Sequence, residues 1–247
     1  MGRRKRAAGI REDVVNLIRQ LFPDDLLGMP ELRECWFGEI HSKLNDELSR
    51  IPGTVLAYER DAHGHVRCTK DRERGDSLTG ADHQRCTYHT FFAEITSEEF
   101  RYEAEGLQPD ENGKLHRVTG TGSIGCVVAV SMRAPFAAVM FEELEDFGRE
   151  GHSNPDIHPH MFELNGAIRD LDVHFGEMFE EKGVKALHAL RSEIVAILES
   201  FGIVVLPEEE LRKPVRWLRA DKAILVDDSF GPRGTTVRDA FFSRGAS

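Results

Sequence analysis

Between residues 10 and 21 the apolar positions Ile10, Val14, Leu17, Ile18 and Leu21 fall at helical spacing, and Pro23 ends the pattern. A second helical pattern starts near Pro30. It places Leu32, Trp36, Ile40, Leu44, Leu48 and Ile51 three or four residues apart until Pro52-Gly53 breaks it. Together these stretches predict a helical hairpin over residues 10–52.

Beyond Gly53 the period drops to two. Residues 54–60 and 65–70 have strand character, joined by Asp61-Ala62-His63-Gly64 with hairpin turn chemistry. After a polar stretch over 70–84, strand signals recur at short spacing over 85–95, 99–107, 114–121, 124–132 and 135–144. Asn112-Gly113 between two of these supplies the positive φ angles of a tight hairpin. Phe100, Tyr102 and Ala104 alternate with Arg101, Glu103 and Glu105, so that strand has one buried and one wet face. A β-meander over 53–147 follows.

Residues 148–159 are rich in Gly, His, Pro and Asn and are expected to form a loop. The next clear pattern is a helix over 184–201, striped by Val184, Leu187, Leu190, Ile194, Ile197, Leu198 and Phe201, with Gly202 as its C-cap. Short strands are expected at 203–206 and 223–226. Strands linked by tight turns, with helices at the two ends of the chain, predict an α+β fold. The expected form is an antiparallel β-meander sheet covered on one face by the N-terminal helical hairpin and a C-terminal helix. Residues 10–247 are expected to form a single domain behind a basic, disordered leader over 1–9, the part over 148–247 holding the loop, the helix and the C-terminal strands.

Composition changes this picture mainly through charge. The chain of 247 residues has 43 Asp and Glu against 32 Lys and Arg, a formal charge of −11. Arg3, Arg4, Lys5, Arg6 and Arg11 stand together at the start, so the remainder is more acidic still. A body of this sign repels nucleic acid and attracts a basic partner; only the Arg3–Arg6 leader suits phosphate. The longest apolar runs, over 126–130 and 135–141, are far shorter than the ~20 residues of a membrane helix. No apolar stretch follows the N-terminal cations, and Cys35, Cys68, Cys86 and Cys126 form no CxxC pair. These features predict a cytoplasmic protein with reduced thiols.

Twelve acidic residues lie between Phe141 and Glu181, against only Arg149 and Arg169. Glu142, Glu143, Glu145, Asp146, Glu150, Glu177, Glu180 and Glu181 are the candidate partner-binding residues, because this much like charge in one stretch favours a cationic ligand. The same stretch holds His-Ser-Asn-Pro-Asp-Ile-His-Pro-His. Its His152, Asp156, His158 and His160 carry donors suited to zinc or another divalent metal, although the spacing matches no metalloenzyme motif and a solvated loop is the plainer expectation. No cofactor is called for by any other feature.

Gly120-Thr121-Gly122-Ser123-Ile124-Gly125 has the GxGxxG form of dinucleotide sites, but a β-branched run follows where such a site needs a helix. A glycine-rich strand junction or bulge is therefore expected. His83, Cys86 and His89 would converge on a helix, yet their neighbours favour a strand, on which they diverge. Arg212, Lys213, Arg216 and Arg219 around Trp217 are expected to form a packed connection. No nucleophile elbow is present.

The function expected from these features is that of a non-catalytic binding protein whose acidic surface engages a basic protein, as an immunity protein or antitoxin does. One alternative is a metal-dependent hydrolase using the His152–His160 loop. The other is an accessory subunit of a nucleic-acid-associated complex that touches phosphate through Arg3–Arg6.

Overall fold

The computed structural model of the protein describes residues 9–28, 36–60, 66–68, 87–109, 113–146, 155–156, 181–221, 224–225 and 235–245. In chain order the helices are α1 (Glu12–Leu21), α2 (Trp36–Ser49), α3 (Glu181–Ser200), α4 (Glu208–Leu211) and α5 (Val237–Phe241). The strands of the main sheet are β2 (Thr54–Arg60), β3 (Val66–Cys68), β4 (Tyr88–Ile95), β5 (Arg101–Pro109), β6 (Leu115–Ser131), β7 (Phe136–Asp146), β8 (Pro155–Asp156) and β9 (Val204–Val205). Two small pairs complete the set: β1 (Leu26–Leu27) with β10 (Arg219–Ala220), and β11 (Ile224–Leu225) with β12 (Arg244–Gly245). Among the described residues no helix is long and apolar enough to cross a membrane.

The fold is α+β, but the sheet is not a simple meander. Its path runs β3-β2-β4-β6-β7-β8, with β5 also on β6 and β9 parallel to β7, which makes it mixed. The reason lies in β6. The sequence pattern divides this stretch at its glycines, whereas the structure has one continuous strand of 17 residues. Its C-terminal half pairs with β4 and its N-terminal half with β5, so two successive strands share one side of it. The glycines are not punctuation. A Cβ on Gly122 would stand 2.1 Å from the ring of Tyr102, its partner on β5, and a Cβ on Gly125 would stand 2.1 Å from the Ala93 carbonyl oxygen. Glycine is what admits these neighbours.

The second correction concerns the helices. Val14 and Ile18 of α1 join one core cluster with Tyr88, Phe92, Val127, Ala129, Phe136, Ala138 and Met140. Phe37, Leu44 and Leu48 of α2 join another with Phe91, Ala93, Cys126, Val128, Val130, Val139 and Phe141. Alternate residues of one strand point to opposite faces, so α1 and α2 bury their stripes on opposite sides of the sheet. They form no hairpin, and the sheet is covered on both faces. Residues Gly122–Ser131 of β6 are accordingly buried without a break. A strand covered on both faces has no polar alternation to display.

Beside α2 lies α3, whose Leu187, Leu190, Ile194 and Leu198 are buried in the second cluster. It ends as expected: Gly202 takes φ +73°, its N–H donates to Glu199 O at 2.9 Å, and Ile203 N–H donates to Leu198 O at 3.0 Å. This is a Schellman cap. The expected hairpins also form, β2 with β3, and β5 with β6, where Gly113 has φ +77°.

The layer over the first cluster is assembled from distant parts of the chain. Glu210 is buried and accepts from Arg11 N–H at 2.8 Å and from Lys213 Nζ at 2.5 Å, while the same Nζ donates to Gly9 O at 2.7 Å. Arg133, in the turn between β6 and β7, donates to Ala240 O at 2.6 Å and Gly28 O at 2.5 Å and lies over the Phe22 ring. Burial pushes its guanidinium down to about 9, which leaves it a cation at neutral pH. Thr87 Oγ1 accepts from Ser243 N–H at 2.9 Å, and Ser131 Oγ donates to Phe241 O at 3.0 Å. These bonds fix α5 on the sheet.

The two glycine contacts differ in what must yield. At Gly125 the obstacle is backbone, whereas at Gly122 it is a side chain that can turn aside. Gly125→Ala is expected to lower stability by about 3 kcal/mol and Gly122→Ala by clearly less, measured by equilibrium urea unfolding. Equal losses would show that the Ala93 carbonyl is not what excludes a side chain at Gly125.

Candidate functional site

The acidic stretch begins in the C-terminal part of β7. Phe136 to Phe141 are buried, and Glu142 to Asp146 continue the same strand with no apolar residue but Leu144. Register places these residues: Glu142 is opposite Gly125, Glu143 opposite Ile124, Glu145 opposite Gly122 and Asp146 opposite Thr121. On the other side of β7 runs β8, with Asp156 directly opposite Glu145 and Pro155 opposite Asp146.

This pairing joins residues nine and eleven positions apart along the chain. Pro155 and Asp156 are the centre of the His152–His160 stretch, and the sheet sets them against the acidic end of β7. Two acidic residues directly opposite on antiparallel strands disfavour each other unless a cation offsets them. Of the other candidate partner-binding residues, Glu181 is the first residue of α3. Glu150, Glu177 and Glu180 lie outside the described residues, as do His152, His158, His160 and the Arg3–Arg6 leader. Among the described residues no three His, Cys, Asp or Glu side chains are grouped so as to hold a metal ion.

The remaining candidates have structural explanations. His89 stands on β4, as the strand reading requires, and is 4% exposed; His83 and Cys86 lie outside the described residues. Its ring lies 4.7 Å from that of His41, 4.8 Å from Phe91 and 5.3 Å from Phe37, centroid to centroid. It is packed among rings between α2 and the sheet. Cys126 faces the same cluster, and burial pushes its thiol far up, away from the reactive thiolate. The GxGxxG stretch lies within β6, followed by six further strand residues through Ser131 where a nucleotide site needs a helix N-terminus; the expected junction or bulge does not form either, since the pairing with β7 runs through it without a register shift.

The basic patch is largely absorbed. Lys213 is held by Glu210, Arg212 pairs with Glu208, and the half-buried Trp217 packs on the first cluster beneath Arg19, whose guanidinium carbon lies 5.7 Å from the ring centre. This agrees with a packed connection. What sequence reasoning missed is the β7–β8 pairing, for which two residues between His, Pro and Asn give no strand signal.

No family model, no curated protein and no solved structure matches this chain. Function therefore has to be argued from the residues themselves.

The burial of Cys126 leads to a measurable expectation. In a Cys35→Ser/Cys68→Ser/Cys86→Ser variant, the one remaining thiol should stay unmodified by an aromatic disulfide reagent in the native state and react fully after unfolding. Rapid native-state labelling would mean that the α3 side of the sheet opens locally.

Proposed function

We propose that the protein is a non-catalytic binding protein whose acidic surface engages a basic protein partner, in the manner of an immunity protein or antitoxin. The observation that carries the reading is the register of β7 and β8, which sets Glu145 opposite Asp156 at the end of a strand that also bears Glu142, Glu143 and Asp146. Acidic residues at directly opposite positions of antiparallel strands disfavour the free protein, and a cationic partner relieves that cost on binding. The surface thus favours the bound state over the free one. The glycine motif, the buried thiol and the packed His89 add no catalytic constellation to it.

A pull-down from the native host with the wild-type chain is expected to recover a basic protein in stoichiometric amount. Affinity should fall steeply with added salt. The triple change Glu142→Lys/Glu143→Lys/Glu145→Lys should weaken capture by about tenfold or more with the thermal midpoint kept or raised. Absence of a stoichiometric partner at low salt would overturn the reading.

A second reading is favoured by the same pairing, because the strand opposite the acidic residues is the middle of the His152–His160 stretch. Here a divalent metal, most simply zinc, would be held by Asp156 with His152, His158 and His160 and would activate water for hydrolysis. Elemental analysis of protein purified without a histidine tag distinguishes the two. About one equivalent of metal, lost in Asp156→Ala/His158→Ala, supports the hydrolase; a trace amount removes it.

A further inference from the structure

The hairpin of β5 and β6 extends beyond the sheet. Pairing of β7 with β6 begins at Thr121 and pairing of β4 with β6 ends at Gly125, so over Leu115–Gly120 the only strand neighbour of β6 among the described residues is β5. That part of β6 is exposed or half-exposed throughout. The outer edge of β5 from Glu103 to Leu107 pairs with no strand among the described residues. An open edge offers a row of backbone donors and acceptors to any extended segment that reaches it.

The charge along this edge is one-sided. Glu98, Glu99, Glu103 and Glu105 are exposed. The cation of the strand, Arg101, is committed to the buried Glu94 at 3.0 Å. Arg117 approaches Glu105 only to 3.6 Å, with both side chains more than half exposed, a pair of small worth. Glu103, Glu105 and Leu107 occupy alternate positions and so share one face. Leu107 is 64% exposed and Leu115, diagonal to it across the ribbon, is 59% exposed. The edge thus presents two carboxylates followed by an apolar end.

Building on the reading of an acidic protein with a basic partner, we propose that this edge of β5 receives an extended basic segment of the partner as an added strand. Cationic residues at alternate positions of that segment face Glu103 and Glu105, and an apolar residue packs against Leu107. The same charge rejects a second copy of this chain. Antiparallel pairing of two such edges sets Glu103 against Glu103 or Glu105 of the other copy, and parallel pairing aligns like with like.

The test uses the full chain and a short fluorescent peptide of alternating lysine and valine, with versions N-methylated on alternate residues in either register. Saturable binding is expected, with slowed amide hydrogen exchange over Glu103–Leu107. Binding should weaken by about tenfold or more in Glu103→Lys/Glu105→Lys, and by less in Glu103→Gln/Glu105→Gln, which guards against a folding artefact. At least one N-methylated peptide should also bind about tenfold more weakly, since it lacks donors the edge requires. Equal binding of all peptides overturns strand addition, because charge alone would then suffice. Binding that survives the β5 changes but is lost in Glu142→Lys/Glu143→Lys/Glu145→Lys moves the partner to β7, which sinks the edge proposal and spares the acidic-surface reading. A dimer in sedimentation velocity that the β5 changes dissolve makes the occupant a second copy and overturns the proposal. If no basic peptide binds and no basic partner is recovered, both readings fall.

Discussion

Burial of β6 on both faces is the constraint on which the rest of this structure depends. From Gly122 to Ser131 no position of the strand is open to water, so its backbone groups must pair on both sides and its side chains must find apolar cover above and below. Pairing with β4 and β5 on one side and β7 on the other meets the first need, and α1 with α5 on one face and α2 with α3 on the other meet the second. The close approach at Gly125 follows from the same demand. At Gly125 the backbone of the neighbouring β4 comes so near that a side chain has no room.

The same strand leaves the core at its N-terminal end, and the character of the protein changes there. Inside, the register aligns Val127 with Met140 and Phe92; outside, it aligns Thr121 with Glu103 and Asp146. Acidic residues thus lie on both strands, β5 and β7, that flank this end of β6. The surfaces proposed to meet a partner belong to strands of the central sheet, which supports them. Such support favours binding, since little ordering is left to be done on contact.

Much of this was legible in the sequence wherever the signal was local. The stripe from Leu187 to Leu198 and the cap at Gly202 follow from the 3.6-residue period and the φ freedom of glycine, and Asn112-Gly113 marks the β5–β6 hairpin, although its register, with Pro109 opposite Leu115, is one residue off that of a two-residue turn there. What failed was partner choice. The stripe Val14, Leu17, Ile18 and Leu21 says that α1 has one apolar face, but not which side of which sheet it covers, and α1 and α2 were paired for being adjacent in the chain. The split of β6 comes from reading residues 120–125 as a strand junction or bulge, when Gly122 and Gly125 mark close approach. The uninterrupted run from Cys126 to Val130 carried the contrary signal, since a strand with one wet face would alternate. The acidic residues of β7 were visible as composition, whereas their meeting with Asp156 depends on a pairing with no periodicity to betray it.

The ties that close the α1 and α5 side of the sheet reach across most of the chain, from Arg11 to Glu210, from Arg133 to Ala240 and from Thr87 to Ser243. On a ribosome this has an order built into it. The sheet strands through β7 and the helices α1 and α2 emerge long before α5, so one face of the sheet must wait, apolar and only partly covered by α1, until residues 237–241 leave the exit tunnel. During that interval Tyr88, Phe92, Val127 and Phe136 are a surface that chaperones can hold and that neighbouring nascent chains can aggregate upon. The late arrival of α5 makes the docking of this helix the step that seals this face of the sheet.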